Sequence, residues 1–190
     1  MADFAAVVLA GGRARRLGGV DKVLLPVEGR SLLERTLDAV AEAAPVVVVG
    51  PRREIGRDVA WTREEPAGAG PLAALRAGLD ALPAGTGLVA VLAADHPHLS
   101  PETLRRLRDA LTADPGAGGA VLVEGPEPPQ WLLGVWRVGS LRAAMPAEVR
   151  DRPIRALLEP LAPVRVPAAP AEAADVDTPL DLERARSRRV

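Results

Sequence analysis

The run FAAVVLAGGRARRLGGVDK, residues 4–22, decides how the rest of the chain reads. Phe4 to Leu9 is apolar without a break and is followed at once by glycine and arginine. A short apolar run with no polar alternation, stopped by glycine, is the pattern of a strand covered on both faces of a parallel sheet. From Leu9 to Lys22 the chain packs four glycines, three arginines and one lysine into fourteen residues. Backbone N–H groups in such a loop can approach an anion closely, and the cations reinforce them, so the segment suits a phosphate or polyphosphate. A tight surface turn is the plain alternative, and the cations from Arg13 to Arg16 weigh against it. The loop is not a Walker A motif, because Val23 follows Lys22, and it holds no G-x-G-x-x-G.

Lys22 stands out by composition. Lys and Arg together number 24, yet Lys22 is the sole Lys; Asn, Tyr and Cys are absent, and Ile occurs only twice. These are residues of A/T-rich codons, which points to a G/C-biased genome that has turned most lysines into arginine. Arg is a wide planar fork and Lys a compact point charge, so a site that sets one ammonium against one phosphate resists the exchange. Chance survival is the competing explanation, and the position of this lysine inside the cationic loop argues against it.

Outward from that loop, strands and helices alternate. Ser31 and Glu34 form a capping box, and Leu33, Leu37, Val40 and Ala44 recur at helical spacing. Four valines at 46–49 read as a buried strand and 59–62 as a weaker one. A loop over 63–70 leads to a helix over 71–82 with Pro71 in its first turn. The apolar run 88–94 is a further strand, stopped by Asp95, and Ser100-Pro101 opens a helix with Leu104, Leu107 and Leu111 inward. Beyond 115 the regularity weakens: strands are expected over 120–124, 131–138 and 164–166, a short helix over 152–161, and an extended linker over 167–174. Thr178-Pro179, with Asp181 in the first turn, starts a terminal helix that ends in basic residues. This alternation predicts an α/β fold, a three-layer α/β/α sandwich on a mostly parallel sheet, as a single domain over 1–190.

Composition removes several function classes. Without cysteine there is no disulfide and no thiolate metal site, which fits a cytoplasmic location. The formal charge is −1 with arginines spread along the chain and aromatics at 2%, so no nucleic-acid groove is expected. Asp3 stands where a secretory signal would carry lysines, and no stretch nears the ~20 apolar residues of a membrane span, so neither export by that route nor a membrane is expected.

Ligands of open α/β sheets bind beyond the carboxyl ends of the strands. Three polar groups are expected there: the opening loop, Glu64-Glu65 after the third strand, and Asp95 after the fourth. Asp95 follows seven apolar residues, and a carboxylate facing phosphates suits Mg²⁺. A helix cap is its other reading, and Ser100 is better placed for that. Glu64 or Glu65 can accept from a base edge such as guanine N1–H and N2–H₂, or belong to a solvated loop. His96 and His98 flank Pro97 and are read as surface or loop-packing residues.

Taken together, Leu9-Ala-Gly-Gly12, Arg16-Leu-Gly-Gly-Val-Asp-Lys22, Gly70-Pro-Leu72, Asp95-x-Pro97 and Asp175-x-Asp-Thr-Pro179 resemble the molybdenum cofactor guanylyltransferases, the MobA-like branch of nucleotidyltransferases. The match runs in family order from one end of the chain to the other, with the first block the most specific. The resemblance implies a Rossmann-like nucleotidyltransferase fold of glycosyltransferase-A type. It implies that Leu9, Ala10, Gly11 and Gly12 contact the nucleotide, Lys22 its phosphates, a carboxylate at 64 or 65 the guanosine, and Asp95 a Mg²⁺ cofactor. Lys22, Asp95 and Arg16 are the expected catalytic groups, with Asp177 a weaker metal candidate.

Three departures stand beside that match. The family commonly has Asn-x-Asn-Thr-Pro where this chain has Asp175-Val-Asp177, an Asp where this chain has Glu64 or Glu65, and an Asn after the second strand where this chain has residues 48–51. The implied reaction is Mg²⁺-dependent transfer of GMP from GTP to the phosphate of molybdopterin, or of its molybdenum-loaded form, with release of pyrophosphate. The implied partners are GTP, the molybdopterin-type acceptor, and molybdenum-insertion or target molybdoenzyme proteins. The alternatives are a nucleotide-binding homologue with impaired catalysis, and a nucleotidyltransferase for another base or phosphorylated acceptor.

Overall fold

The computed structural model describes residues 3–11 and 21–187. The chain builds strands β1 (Ala5–Leu9), β2 (Pro26–Val27) and β3 (Arg30–Ser31), then helix α1 (Leu32–Ala39), β4 (Val46–Val49), β5 (Ala60–Thr62) and α2 (Pro71–Asp80). It continues with β6 (Leu88–Ala93), α3 (Pro101–Ala113), β7 (Gly119–Val123), β8 (Leu133–Arg137), α4 (Val138–Ala144), α5 (Arg155–Leu158), β9 (Val164–Pro167) and α6 (Pro179–Ser187). Seven of the strands form one sheet in the order β5-β4-β1-β6-β8-β7-β9. Only β8 runs against its neighbours; the other pairings, β1 with β4 and β6, β4 with β5, and β7 with β9, are parallel.

Successive side chains on a strand point to opposite faces, and here both faces are covered. Ala6 and Val8 join Val48, Ala90 and Leu92 in a core with Leu33 and Leu37 of α1 and Leu104, Leu107 and Leu111 of α3. Ala5, Val7 and Leu9 join Val47, Val49, Val89 and Val91 in a second core with Leu72, Leu75 and Leu79 of α2 and with Leu141, Leu157 and Leu158. That double covering explains the unbroken apolar runs. Both helix starts are capped as expected: Ser31 with Glu34, and Ser100 with Thr103.

The later elements differ from expectation. The strand expected over 131–138 spans β8 only, because Val138 turns directly into α4, whose Val138 and Leu141 are buried. Residues 26–31 form a small hairpin whose turn, Glu28-Gly29, has positive φ at both positions, as a two-residue primed turn demands. The expected linker over 167–174 is compact. Glu172 accepts from Arg106 Nη2 at 2.6 Å and Ala169 N at 2.7 Å and also bonds Thr103 Oγ1, which fastens the segment to α3. Its side chain is 7% exposed.

The geometry makes two stability predictions. Gly78 of α2 lies so close to the sheet that an added Cβ would stand 2.4 Å from Val7 Cγ1. Ala is favoured over Gly in a helix by about 1 kcal/mol, but overpacking a stiff, buried valine costs about 1–3 kcal/mol. Gly78→Ala is expected to lower the unfolding free energy in chemical denaturation. Burial pushes the Glu172 carboxyl up, yet the Arg106, Thr103 and Ala169 bonds outweigh it and hold the group below the usual carboxylate range. A depressed folded-state value gives stability that is present above that range and is lost as pH falls through the folded value. Glu172→Gln is expected to cost about 2 kcal/mol at neutral pH and to flatten the acid limb of a stability-against-pH curve.

Candidate active site

The order of the sheet places the site. After β1 the chain moves outward to β4 and β5, then returns to the other side of β1 as β6. The two directions of winding part between β1 and β6, and a crevice opens beyond the ends of such strands. Here it has a volume of about 890 Å³ and is lined by Leu9, Ala10 and Gly11 after β1, Gly50 and Pro51 after β4, Arg63 and Glu64 after β5, the first turn of α2, and Ala94 and Asp95 after β6. Lys22 and Asp177 also line it.

Backbone bonds continue past the strand ends and fix these loops. Ala10 N donates to Val49 O at 2.9 Å and Ala94 N to Leu9 O at 3.0 Å. Gly50 has φ of +149°, and a Cβ there would lie 2.9 Å from the carbonyl carbon and oxygen of Ala10. Only glycine lets the two loops approach so closely.

Lys22 begins a single 3₁₀ turn, Lys22–Leu24, anchored by the buried Val23. Its Nζ donates to Asp95 Oδ2 at 2.8 Å and to Asp177 Oδ1 at 2.6 Å. Burial pulls the Lys22 pKa down, but the Asp95 charge, the bonds to Asp177 and Asp95 and the Asp177 charge outweigh it, so the net shift is upward. The lysine is a fixed cation.

Asp95 spends one carboxylate oxygen on Lys22. The other, Oδ1, is buried and has no hydrogen-bond donor among the described residues; His96 Nε2 lies 3.4 Å away. His96 is itself buried, and Ser100 caps α3, so Asp95 is not a helix cap. Asp177 arrives from the far end of the chain. Val176 N donates to the Asp95 carbonyl at 3.0 Å, and the Val176 side chain is buried in a third small core with Val27, Leu32, Leu182 and Ala185. Asp181 accepts from Thr178 N at 2.9 Å and Thr178 Oγ1 at 2.7 Å, which sets the turn into α6. Asp175 is raised above its usual value by burial and then by the Asp177 charge, with His96 and Lys22 opposing and Asp95 adding to the rise.

The sequence-derived candidates divide as follows. Leu9, Ala10, Gly11, Lys22, Glu64, Asp95 and Asp177 meet at the crevice, and Glu65 does not line it. Glu64 Oε1 accepts from Gly68 N at 2.8 Å, which folds the carboxylate back over its own loop. Gly12, Arg13, Arg15 and Arg16 lie outside the described residues. Sequence reasoning missed Arg63 and the wall at Gly50-Pro51, although both follow strands and the carboxyl-end rule points to them. Among the described residues no group of three or more His, Cys, Asp or Glu side chains is gathered to hold a metal, and no helix is long and apolar enough to cross a membrane.

A family model described as a MobA-like NTP transferase domain matches residues 6–166. The molybdenum cofactor guanylyltransferase of Rhodobacter capsulatus is 32% identical over 193 residues, which span 97% of this chain and 96% of that protein. The bifunctional protein GlmU of Mycobacterium marinum is 39% identical over 133 residues, 60% of this chain but 27% of GlmU. Among solved structures, a nucleotidyl transferase from Methanothermobacter has a TM-score of 0.75 and 27% identity, covering 96% of this chain and 95% of the other.

Val176 is the anchor that brings Asp177 to Lys22. Truncation to Val176→Ala is expected to cost about 1–3 kcal/mol and to release the segment before α6. Hydrogen–deuterium exchange checks this through faster exchange over residues 175–182, with β1 and β6 unchanged.

Proposed function

Because the chain belongs to the MobA-like NTP transferase family and is a nucleotidyltransferase, we propose that it transfers GMP from GTP to the phosphate of molybdopterin or its molybdenum-loaded form. One oxygen of that phosphate bonds to the α-phosphorus of GTP, the bond from α-phosphorus to the bridging oxygen breaks, and pyrophosphate leaves. The observation that carries the reading is the Lys22 ammonium held by Asp95 and Asp177 beyond β1 and β6, beside a buried carboxylate oxygen that has no donor among the described residues.

The acceptor is a phosphate monoester with a second pKa of about 6, so it is mostly dianionic near neutral pH and requires no general base. The difficulty is bringing two anions together, and the site answers with charge and alignment. Gly11 offers its backbone N–H to the phosphates, and Lys22 supplies a point charge beside it. Glu64 keeps one carboxylate oxygen outside its bond to Gly68 N for the N1–H and N2–H₂ edge of guanine.

The donor set suits Mg²⁺. It consists of oxygens only, Asp95 Oδ1 has no donor among the described residues, Asp177 shares the same lysine, and a hard cation held by one or two carboxylates completes its shell with substrate phosphates and water. Asp95 and Asp177 would hold the ion, which, when bound, draws charge from the α-phosphate and the departing pyrophosphate. The GlmU similarity supports a second reading, the same chemistry with another base or phosphorylated acceptor.

The test is pyrophosphate release by the purified protein with Mg²⁺ and each nucleoside triphosphate, with and without molybdopterin. Release only with GTP and molybdopterin is expected; release with another pair selects the second reading. Nucleotide binding with no turnover on any acceptor would mark an impaired homologue. Lys22→Ala is expected to lower turnover at least about tenfold with the fold intact, and near-normal release would remove Lys22 from the role. Asp95→Asn is expected to raise the Mg²⁺ concentration needed for half-maximal rate, with Asp177→Asn shifting it less; unchanged titrations would remove both from the metal.

A further inference from the structure

A second charge pair stands beside Lys22 in the crevice wall. Asp21 precedes the lysine and occupies the N-cap position of its 3₁₀ turn, yet its side chain makes no cap bond. Its carboxylate is committed elsewhere. Arg53, from the loop after β4, donates Nε to Asp21 Oδ2 at 2.6 Å and Nη2 to Asp21 Oδ1 at 2.9 Å. The remaining arm of the guanidinium, Nη1, donates to the Pro51 carbonyl at 2.9 Å. Pro51 and Asp21 both line the crevice, so one side chain ties the segment carrying Lys22 to the loop forming the adjacent wall.

We propose that Arg53 is a positioning residue for nucleotide binding, acting through Asp21 on Lys22; this rests on the nucleotidyltransferase reading. Charge gives the first reason. The described lining of the crevice holds four carboxylates, Asp21, Glu64, Asp95 and Asp177, against two cations, Lys22 and Arg63. Without Arg53 the Asp21 carboxylate would face an incoming polyphosphate uncompensated and compete for the neighbouring ammonium. Geometry gives the second. A bidentate fork fixes the plane of the Asp21 carboxylate and so the start of the turn that aims Lys22, which a single-donor ammonium does not do. The asymmetry of exposure agrees: the Arg53 side chain is 9% exposed, as a fixed support would be, whereas Asp21 is 42% exposed. A pair open on one side contributes little to global stability, so its loss is read in ligand affinity rather than in unfolding.

The experiment compares the parent protein with Arg53→Ala, Arg53→Lys, Asp21→Asn and the double variant Asp21→Asn/Arg53→Ala. Calorimetric affinity for GTP with Mg²⁺, kcat and KM from pyrophosphate release, and Tm are measured for each. Arg53→Ala is expected to weaken nucleotide affinity and raise KM about tenfold or more, with kcat changed by less than about threefold and Tm close to the parent. Asp21→Asn alone is expected to raise KM by less than Arg53→Ala, because it loses the fork that aims Lys22 but leaves no unpaired carboxylate. The double variant should match Asp21→Asn and so recover part of the loss, because the unpaired carboxylate is gone. Should the alanine variant be too unstable to assay, Arg53→Lys reads the same effect as a smaller, several-fold rise in KM. Parent-like affinity in the Arg53 variants, or a double variant as weak as Arg53→Ala, overturns the proposal while leaving the enzymatic reading in place. A parent protein that binds no nucleoside triphosphate with Mg²⁺ overturns both.

Discussion

Two strands buried on both faces, Ala5–Leu9 and Leu88–Ala93, lie side by side with apolar side chains throughout, which forces every charged group of the site to the edge where they end. Burying an unpaired charge inside such a sheet would be costly, so the apolar strands give way to the site within a few residues. Leu92 is fully buried, while Asp95 keeps part of its carboxylate open to the crevice. The same separation holds after β4, where Val49 is buried and Gly50 and Pro51 form the wall. The sheet thus acts as a rigid platform, and its loops supply all the chemistry.

At that edge the organising contact is one ammonium shared by two carboxylates from segments 73 and 155 residues away in sequence. An ammonium has three donors. Two are used by Asp95 and Asp177, and among the described residues the third has no acceptor assigned. Lys22 can therefore hold both acids and still present a donor toward the crevice. An arginine would spread its charge over a planar fork and tend to pair with one carboxylate side-on, which fits the persistence of a single lysine in an arginine-rich chain.

Much of this was legible in the sequence where a single physical rule governs a stretch. Phe4 to Leu9, the valines at 46–49 and the run at 88–94 declared themselves because doubly covered strands need no polar alternation. Ser31 and Ser100 announced their helices because the orphan N–H groups of a first turn demand such partners. The hairpin at 26–31 was illegible: two-residue strands carry no periodicity, and Glu28-Gly29 is not the Asn-Gly or Asp-Gly usual in such turns. Helix α4 was hidden because it starts directly on β8 with no capping side chain. The Glu172 clasp and the meeting of Lys22 with Asp177 depend on long-range docking, which local patterns do not encode. The nearness of Glu64 rather than Glu65 likewise follows from the turn of the loop around Gly68.

Asp177 is where the local electrostatics become most specific to this chain. An amide at that position would add a dipole to the cluster, whereas a carboxylate adds a full charge. Lys22 bonds both Asp95 and Asp177, and the neighbouring Asp175 is raised by burial first and then by the Asp177 charge. A bare polyphosphate meeting this cluster is repelled by two carboxylates and attracted by one ammonium. A divalent cation bound there would add two positive charges at the distance of a contact, where Coulomb terms are largest. The carboxylate at 177 thus adds a full charge that strengthens the hold of the cluster on a cation, Lys22 included, where an amide would offer only a dipole.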